Sequence, residues 1–389
     1  MSNKNYIKNI LGLQEVIAEQ IVVKSDFIEF HIRNKRKKQK CPCCGKQTAR
    51  IHDYRIQTIK DLAFRKPTVL KLKKRRYICP HCNKKFYEEI PWLPRYSRRT
   101  MRLTEDMIIK LRKTVSYSHV AEECNLSATT VSRVFDVVSY PPKPLPEVLL
   151  IDEFKGNTGS KKYQCILMNG VTGEVIDILP DRDTSTLIHY FKNKNTATVR
   201  FLVSDMWKPY RDLCLTVFKN ARHIADKYHV TRQVMWAMEA VRKDVQKELN
   251  KNSRLRYKHT ANLLRKSRSK LKDEQEIRLS QVLSTSSELR KAYWLKEDFG
   301  EIFKAKSYPE AIERLKEWIK KAVESEIERF VKCAKTMLNW SKSIAMAAEF
   351  GYTNGRIEGM NNKIKVLKRV SFGLRNFNRF RNRILHTTA

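Results

Sequence analysis

Two short, largely apolar runs in the middle of the chain each lead into an aspartate. Residues 149–151 precede Asp152, and residues 199–204 precede Asp205. Apolar runs of this length between loops predict buried strands. A carboxylate at the end of a buried strand is unfavourable unless another group pairs with it. We therefore expect two neighbouring strands that bring both aspartates to one edge of a sheet.

A third acidic residue, Glu358, lies in a stretch with helical spacing that begins at Asn354. The apolar face predicted for this helix consists of Ile357, Met360, Ile364 and Leu367, and the polar stripe beside it consists of Glu358, Asn362, Lys365 and Arg369. By itself, the helix fits a surface glutamate with basic neighbours better than a metal ligand. Beside the two aspartates, it suits a metal ligand flanked by phosphate contacts from Lys365 and Arg369.

Three carboxylates in one place repel one another unless cations lie between them. Hard oxygen ligands suit Mg²⁺ or Mn²⁺, and two Mg²⁺ ions about 3.5–4 Å apart are the usual means of in-line phosphoryl displacement. The expected catalytic residues and metal ligands are therefore Asp152, Asp205 and Glu358, and the expected chemistry is the cleavage and joining of nucleic acid.

The charge of the chain also points to a nucleic-acid partner. Its 389 residues carry 79 Lys and Arg against 41 Asp and Glu, a net charge of +38. An excess of this size favours a polyanion, because neutralised phosphates release counterions. A membrane surface is the alternative, but no long apolar segment accompanies the charge. The first residues are too polar for a signal peptide, so we expect a cytoplasmic, nucleoid-associated protein with reduced cysteines.

Two C-x-x-C pairs near the start of the chain predict one structural zinc ion. The expected ligands are Cys41, Cys44, Cys79 and Cys82. A redox pair or two unrelated turns are the alternatives to a metal site, and Cys43 or His81 could replace one ligand. The alternating residues between the pairs predict β-hairpins with a basic face, so we interpret residues 1–95 as a zinc-ribbon domain.

Residues 100–140 have the pattern of a helix-turn-helix. Thr104 can cap a helix over residues 105–114, and a turn at residues 125–127 precedes a helix with Ser127 as its N-cap. An ordinary helical hairpin fits equally well, but the charge and the ribbon favour DNA recognition. The candidate DNA contacts on the second helix are Thr129, Thr130 and Arg133. A proline-rich linker then separates this region from the rest.

From residue 147 to residue 229, strands alternate with helices. Strands are predicted up to Asp152 and at residues 163–168, 175–179, 199–205 and 221–225, with a helix capped by Thr184 or Ser185 and another over residues 208–218. Three antiparallel strands, a helix and then parallel strands are the order of an RNase H-like fold. In that fold the first and fourth strands are neighbours, so Asp152 and Asp205 would meet.

Residues 230–345 have only helical patterns and are interpreted as an all-helical insertion. One predicted core stripe consists of Val230, Val234, Met238, Val241 and Val245, and a second, behind a capping box at residues 307–310, consists of Ile312, Leu315, Ile319, Val323 and Ile327. Residues 346–389 are assigned to C-terminal helices of the catalytic core. Gly373 is expected to end the helix that carries Glu358.

These residues resemble a known family, the bacterial insertion-sequence transposases of the ISL-three type within the DDE superfamily. The motifs that carry the resemblance are CPCCG at 41, CPHC at 79, IDEF at 151, PDRDTSTL at 180, SDMW at 204, ADKYH at 225 and NGRIEGMNNKIKVLKR at 354. The resemblance implies that Asp152, Asp205 and Glu358 form the DDE triad and that the front domains bind terminal inverted repeats. Asp226 and His229 match an auxiliary Asp-x-x-His motif, although a helix cap and an orienting histidine explain them equally well.

The sequence therefore predicts a multidomain α+β protein with a zinc ribbon, a helix-turn-helix and an RNase H-like α/β catalytic domain with an all-helical insertion. The expected function is a Mg²⁺-dependent DDE transposase that cuts the ends of an insertion sequence and transfers them to target DNA. Its expected partner is double-stranded DNA, on which it forms a homodimer or a higher oligomer. A domesticated DNA-binding regulator and a nuclease that only hydrolyses are the alternatives.

Overall fold

The chain forms two compact units. The computed structural model describes residues 12–13, 16–156, 158, 161–249, 254, 257, 260–372 and 374–388. The front unit contains Met1–Tyr140, Lys365–Leu374 and Asn382–Ala389, and the core unit contains Pro141–Ile364 and Arg375–Arg381. The helix end expected at Gly373 and the polar start, residues 1–11, lie outside the described residues. None of the described helices is long and apolar enough to cross a membrane.

The front unit contains a five-stranded sheet. Its strands follow the order β1-β2-β6-β5, with β7 paired to β6, and β3 pairs with β4 separately. Leu70 and Leu72 alternate with charged residues along β6 and are buried against Ile32 and Ile59. The strands are β1 (Val16–Val23), β2 (Ile28–Asn34), β3 (Gln39–Lys40), β4 (Gln47–Thr48), β5 (Ile51–Phe64), β6 (Lys66–Ile78) and β7 (Lys85–Tyr87).

Three helices follow this sheet: α1 (Met101–Lys110), α2 (Tyr117–Glu123) and α3 (Ala128–Phe135). The first begins four residues earlier than predicted, because Thr100 and not Thr104 is its N-cap. The Thr100 side chain accepts a hydrogen bond from the N–H of Leu103, whereas the Thr104 hydroxyl donates to the carbonyl of Thr100 from inside the first turn. The predicted cap of α3 at Ser127 is confirmed by its bond from the N–H of Thr130.

The core unit contains a mixed sheet with the strand order β10-β9-β8-β11-β12. β9 is antiparallel to both of its neighbours, β10 and β8, whereas β8, β11 and β12 run parallel to one another. The pairing of β8 with β11 confirms the predicted contact between the first and fourth strands. The strands are β8 (Val148–Lys155), β9 (Tyr163–Asn169), β10 (Val175–Leu179), β11 (Phe201–Ser204) and β12 (Arg222–Ala225).

Two helices, α4 (Thr184–Phe191) and α5 (Lys208–Thr216), cover one face of this sheet. Leu187 and Phe191 of α4 and Leu213 of α5 share one buried cluster with Leu149 and Leu202 of the strands. The predicted cap of α4 at Thr184 or Ser185 is wrong. Asp183 is the N-cap, and both hydroxyl residues lie inside the helix.

The described part of residues 227–350 is helical and contains α6 (Lys227–Glu248), α7 (Ala261–Arg265), α8 (Asp273–Ser284), α9 (Ser287–Ile302), α10 (Tyr308–Glu324), α11 (Glu328–Asn339) and α12 (Ser341–Phe350). All five residues of the stripe predicted for α6 are buried. The stripe predicted for α10 is partly wrong, because Val323 is 48% exposed whereas Trp318 is buried. The Trp318 indole donates to the carbonyl of Leu295 and brings this neighbouring face of the helix into the core.

Two helices complete the chain, α13 (Gly355–Val370) and α14 (Phe377–His386). In the core unit, Phe380 packs edge to face against Phe154, and Arg381 forms an ion pair of 2.6 Å with the buried Asp177. In the front unit, the buried Arg383 donates to the carbonyl of Val115 over 2.9 Å.

Candidate active site and zinc site

Three aspartates stand side by side where three parallel strands end. The register pairs Leu150 of β8 with Val203 of β11, and Asp152 and Asp205 each lie two residues further along. β12 is paired with β11 in the same direction, so Asp226, which follows β12, lies beside Asp205. Parallel strands present such residues at one edge of a sheet. The structure therefore brings the two predicted aspartates together and adds a third, although β8 continues three residues past Asp152.

The two candidate catalytic aspartates at this edge have raised pKa values. Burial is the main cause that raises the pKa of Asp152 from 3.8 to about 7, and the charges of Glu153, Asp205 and Asp226 raise it further. Burial and Glu153 also raise the pKa of Asp205 to about 6. One oxygen of Asp205, Oδ1, is buried and has no hydrogen-bond partner among the described residues. Such a site favours either protons or a cation.

Asp226 connects two helices. One of its oxygens accepts the backbone N–H of His229 over 3.3 Å and caps α6, while the other accepts the backbone N–H of Asn354 over 2.9 Å. His229 accepts a hydrogen bond of 2.9 Å from Arg232 at Nδ1, and burial lowers its pKa. The imidazole is therefore neutral, with its proton on Nε2. These contacts favour the structural interpretation of the Asp-x-x-His motif.

Two asparagines attach α13 to the edge of the sheet. The side-chain amide of Asn354 donates to the carbonyl of Ile151 over 3.3 Å, and that of Asn361 donates to Oδ2 of Asp152 over 3.0 Å. Residues seven positions apart lie on one helix face two turns apart. Asn361 is buried, although the sequence pattern places Met360 and not Asn361 on the buried face of the helix. The pattern therefore gives no sign of this contact.

Glu358 lies on the exposed side of the first turn of α13. Its charge raises the pKa of His229, against the stronger effect of burial, so its carboxylate is near that imidazole. Among the described residues, however, only four cysteines bring three or more ligand atoms within 4.8 Å of one another. The carboxylate oxygens of Asp152, Asp205 and Glu358 therefore do not all lie within 4.8 Å of one another. Lys365 and Arg369 follow Glu358 on the same helix and are exposed.

Arg182 is a residue of this site that the sequence analysis did not single out. Its guanidinium forms an ion pair of 2.6 Å with Glu153 and lies 4.5 Å from the ring centres of both Tyr163 and Trp207. Its positive charge lowers the pKa of Asp205, against burial. The only sequence signal was its place in the PDRDTSTL stretch. A cation held by two rings and a carboxylate has little freedom to move.

The four predicted zinc ligands meet at the ends of two matching turns. Sγ of Cys41 is 3.5 Å from Sγ of Cys82, and Sγ of Cys44 is 3.5 Å from Sγ of Cys79. In each turn, the residue after the second cysteine has a positive φ, 73° at Gly45 in one and 56° at Asn83 in the other. Each of these residues donates its N–H to the carbonyl of the first cysteine of its pair.

These distances suit a tetrahedral zinc ion. Bonds of about 2.3 Å would place the sulfur atoms about 3.8 Å apart. A hydrogen bond from the N–H of Cys44 is the main cause that lowers the pKa of Cys41 to about 6, whereas burial raises the pKa values of Cys44 and Cys82. Cys41 is therefore the thiol of these three that most readily becomes the thiolate that zinc binds. Cys43 is exposed and is not part of the cluster.

The helix-turn-helix presents two of its three candidate DNA contacts. Thr129 and Arg133 are exposed one turn apart on α3. The hydroxyl of Thr130, in contrast, is 2.9 Å from that of Ser127 and belongs to the cap. The turn before the helix passes through Asn125, whose φ is 50°.

Comparison with known proteins assigns the chain to a family. A family model described as "Transposase" matches residues 149–384, which is more than half of the chain. The chain belongs to the ISL3 family of transposases. Two further models match the front of this transposase: "zinc-finger of transposase IS204/IS1001/IS1096/IS1165" at residues 37–82 and "Helix-turn-helix domain of transposase family ISL3" at residues 88–137.

Curated relatives support the same family. The chain is 24% identical to the "Transposase for insertion sequence element IS1001" of Bordetella parapertussis, over 96% of each protein. It is 26% identical to the "Transposase for insertion sequence element IS1557" of Mycobacterium tuberculosis, over 55% of this chain and 54% of that protein. For this ISL3 transposase, the zinc-ribbon match and the four-cysteine cluster support a structural zinc ion, and the helix-turn-helix implies DNA binding.

Proposed function

We propose that this ISL3 transposase is a DDE enzyme with an RNase H-like catalytic domain, which cuts the ends of its insertion sequence and joins them to target DNA. The proposal is carried mainly by one observation. Asp152 and Asp205 lie side by side at neighbouring strand ends, and both have raised pKa values. The strand order β10-β9-β8-β11-β12 is the order expected of an RNase H-like fold.

The donor set fits Mg²⁺ or Mn²⁺. The buried carboxylates of Asp152 and Asp205 and the carboxylate of Glu358, which is near His229, offer the hard oxygen ligands that these ions prefer. Oδ1 of Asp205 has no hydrogen-bond partner among the described residues. Asp152, Asp205 and Glu358 would hold two such ions. When bound, the ions would lower the pKa of an attacking water or 3′-hydroxyl and stabilise charge on the leaving oxygen. The ligand atoms of the three residues do not all lie within 4.8 Å of one another, and two ions about 3.5–4 Å apart would span a wider group of carboxylates than one ion would.

The remaining groups of the site position the ligands and the DNA. Asn361 holds Oδ2 of Asp152 and so would fix the orientation in which this carboxylate meets a cation. Arg182 and Arg232 supply positive charge next to Asp205, where a scissile phosphate would lie. Lys365 and Arg369 follow Glu358 on the exposed side of α13 and suit contacts to the DNA backbone.

The front unit would supply the preference for the element's ends. Thr129 and Arg133 on α3 are placed to reach base edges in a major groove. The high positive charge of the chain would add affinity for any duplex, target DNA included. We propose a homodimer or a higher oligomer on DNA, because an insertion sequence has two ends to be cut and joined.

The products formed on end DNA test this function. The protein is incubated with Mg²⁺, a labelled duplex that carries the end of its element, and a plasmid target. We expect cuts at the element boundary and covalent joining of the new 3′ ends to the plasmid. Cuts without joined products would indicate a nuclease that only hydrolyses, and binding without cuts would indicate a DNA-binding regulator.

A further inference from the structure

An exposed stripe of two aromatic rings and one guanidinium runs along α6 away from the candidate active site. Tyr228, Arg232 and Trp236 are spaced four residues apart, so they lie on one face of the helix. Tyr228 is 59% exposed and Trp236 is 55% exposed, although α6 buries its opposite face in the core of the helical region. Large aromatic side chains left in solvent in this way point to a binding surface.

The stripe begins inside the active site. Its first residue is two positions after Asp226, the N-cap of α6. Arg232 is 2.9 Å from Nδ1 of His229, and the backbone N–H of His229 donates to Asp226 over 3.3 Å. From Tyr228 to Trp236 the helix rises by about 12 Å. A DNA strand with its phosphate at the aspartates would therefore have its next nucleotides within reach of the rings.

Arg232 holds the two rings in place. Its guanidinium carbon is 5.5 Å from the ring centre of Tyr228 and 4.8 Å from that of Trp236. Its Nε is buried and has no hydrogen-bond partner among the described residues. The guanidinium lies against both rings, and their remaining surface is left to solvent. Rings held in one orientation lose less conformational entropy when a ligand stacks on them.

We propose that Tyr228, Arg232 and Trp236 form a stacking site for an unpaired nucleobase of the DNA strand in the active site. A nucleobase has a flat π face for the indole, and the phosphate beside it has the charge for Arg232. This inference rests on the proposed function for the presence of DNA at the aspartates. It adds that the DNA is locally unpaired there and that α6 holds the freed base.

Another exposed tryptophan provides a matched control. Trp294 on α9 is 41% exposed, and the guanidinium carbon of Arg268 is 5.2 Å from its ring centre. There, however, Arg268 is bonded to Glu276 over 2.7 Å at Nε, so its charge is already compensated. Trp294→Ala therefore removes the same side chain without touching the proposed site.

The test compares binding of paired and unpaired DNA by the full chain in an Asp152→Asn background, so that no cleavage is needed. One probe is a duplex of the element's end, and the other has the same sequence with an unpaired tip that carries 2-aminopurine. We expect the parent to quench the 2-aminopurine fluorescence and to prefer the unpaired tip. Trp236→Ala should remove the quenching and reduce affinity for the unpaired tip by roughly 5- to 150-fold, which corresponds to ~1–3 kcal/mol per stacked base.

Trp236→Phe should keep most of the preference, because a benzene ring also stacks, and Trp294→Ala should keep all of it. Unchanged quenching and affinity in Trp236→Ala would overturn the inference, as would an equal loss for paired and unpaired probes. A change in oligomeric state of Trp236→Ala without DNA, with the preference intact, would assign the surface to a second copy of the chain instead. Cleavage by Asp152→Asn would refute the proposed triad but not the stacking site.

Discussion

The side-chain amide of Asn361 donates a hydrogen bond to Oδ2 of Asp152 over 3.0 Å. A residue of α13 thereby sets the orientation of a carboxylate on β8, about 200 positions earlier in the chain. The same helix is joined to β8 through Asn354 and to the cap of α6 through Asp226. The helix that carries Glu358 is thus attached to the strands that carry the aspartates.

Asn361→Ala should slow DNA cleavage by about 10- to 100-fold, the usual effect of removing a group that orients a metal ligand. The cause would be a freely rotating Asp152 carboxylate, so a higher Mg²⁺ concentration should be needed for half-maximal rate. Asn362→Ala is the control, because it removes the same amide from the next residue, which is exposed. Equal cleavage and equal Mg²⁺ dependence in both variants would remove Asn361 from the site.

The raised pKa of Asp152 predicts how pH affects stability without added Mg²⁺. Because the pKa rises from 3.8 to about 7 on folding, the folded chain binds this proton more tightly than the unfolded chain does. The stabilising contribution is complete below pH about 4 and is lost as pH rises through about 7. The melting temperature of the parent should therefore fall over this range relative to Asp152→Asn, which has no such proton. Mg²⁺ should restore the parent most strongly at the upper end of the range.

Parallel melting curves of parent and Asp152→Asn would contradict this assignment, as would a stabilisation by Mg²⁺ that is equal in both proteins. The variant also tests whether the ionised Asp152 carboxylate destabilises the folded chain. If it does, Asp152→Asn should have a higher melting temperature than the parent at neutral pH without added Mg²⁺.

The strands that carry Asp152 and Asp205 could be predicted because their signal is local. Each is a short apolar run before a polar residue, and the strand order follows from the alternation with helices. The buried stripe of α6 could also be predicted from the sequence, since its apolar residues recur at helical spacing. Likewise, the two C-x-x-C pairs were enough to identify the cluster of four thiols.

The groups that support these ligands could not be predicted, because their roles depend on tertiary contacts. Asn361 interrupts an apolar stripe, and only the pairing of α13 with β8 makes its amide useful. The guanidinium of Arg182 is held in position by the rings of Tyr163 and Trp207, which lie elsewhere in the chain. The misplaced cap at Thr104 has a local cause: Thr100 and Thr104 are both suitable residues, and four positions separate them.

Loss of any cysteine of the four-thiol cluster should unfold the turns around it. Such zinc sites contribute on the order of 10 kcal/mol of apparent binding free energy at neutral pH. We expect Cys44→Ser to reduce bound zinc well below one ion per chain and to weaken binding to end DNA. Cys43→Ser should retain the ion, because Cys43 lies outside the cluster. Elemental analysis of both freshly purified variants makes the comparison, and zinc loss in Cys43→Ser alone would reassign the ligands.

Arg133→Ala should reduce the preference for end DNA over scrambled DNA by about 1–3 kcal/mol if Arg133 contacts a base. A contact to phosphate alone would weaken both DNAs alike. Arg112→Ala is the control, since it removes an exposed arginine outside α3. Competition binding at fixed salt measures the preference. A larger loss of preference in Arg112→Ala than in Arg133→Ala would place recognition elsewhere in the front unit.

The cleavage rate of the three carboxylate variants tests the central claim most directly. Asp152→Asn, Asp205→Asn and Glu358→Gln each keep the shape of the side chain and remove its charge. Glu147→Gln, at an exposed carboxylate just before β8, is the control. With labelled end DNA and Mg²⁺, we predict that the rates of cleavage and strand transfer fall by more than about 100-fold in each of the three variants. This loss is larger than the usual effect of removing a group that only orients a metal ligand. Binding to end DNA in the three variants and the cleavage rate of Glu147→Gln should stay at the parent level. Cleavage at the parent rate by any one of the three would contradict its place in the triad.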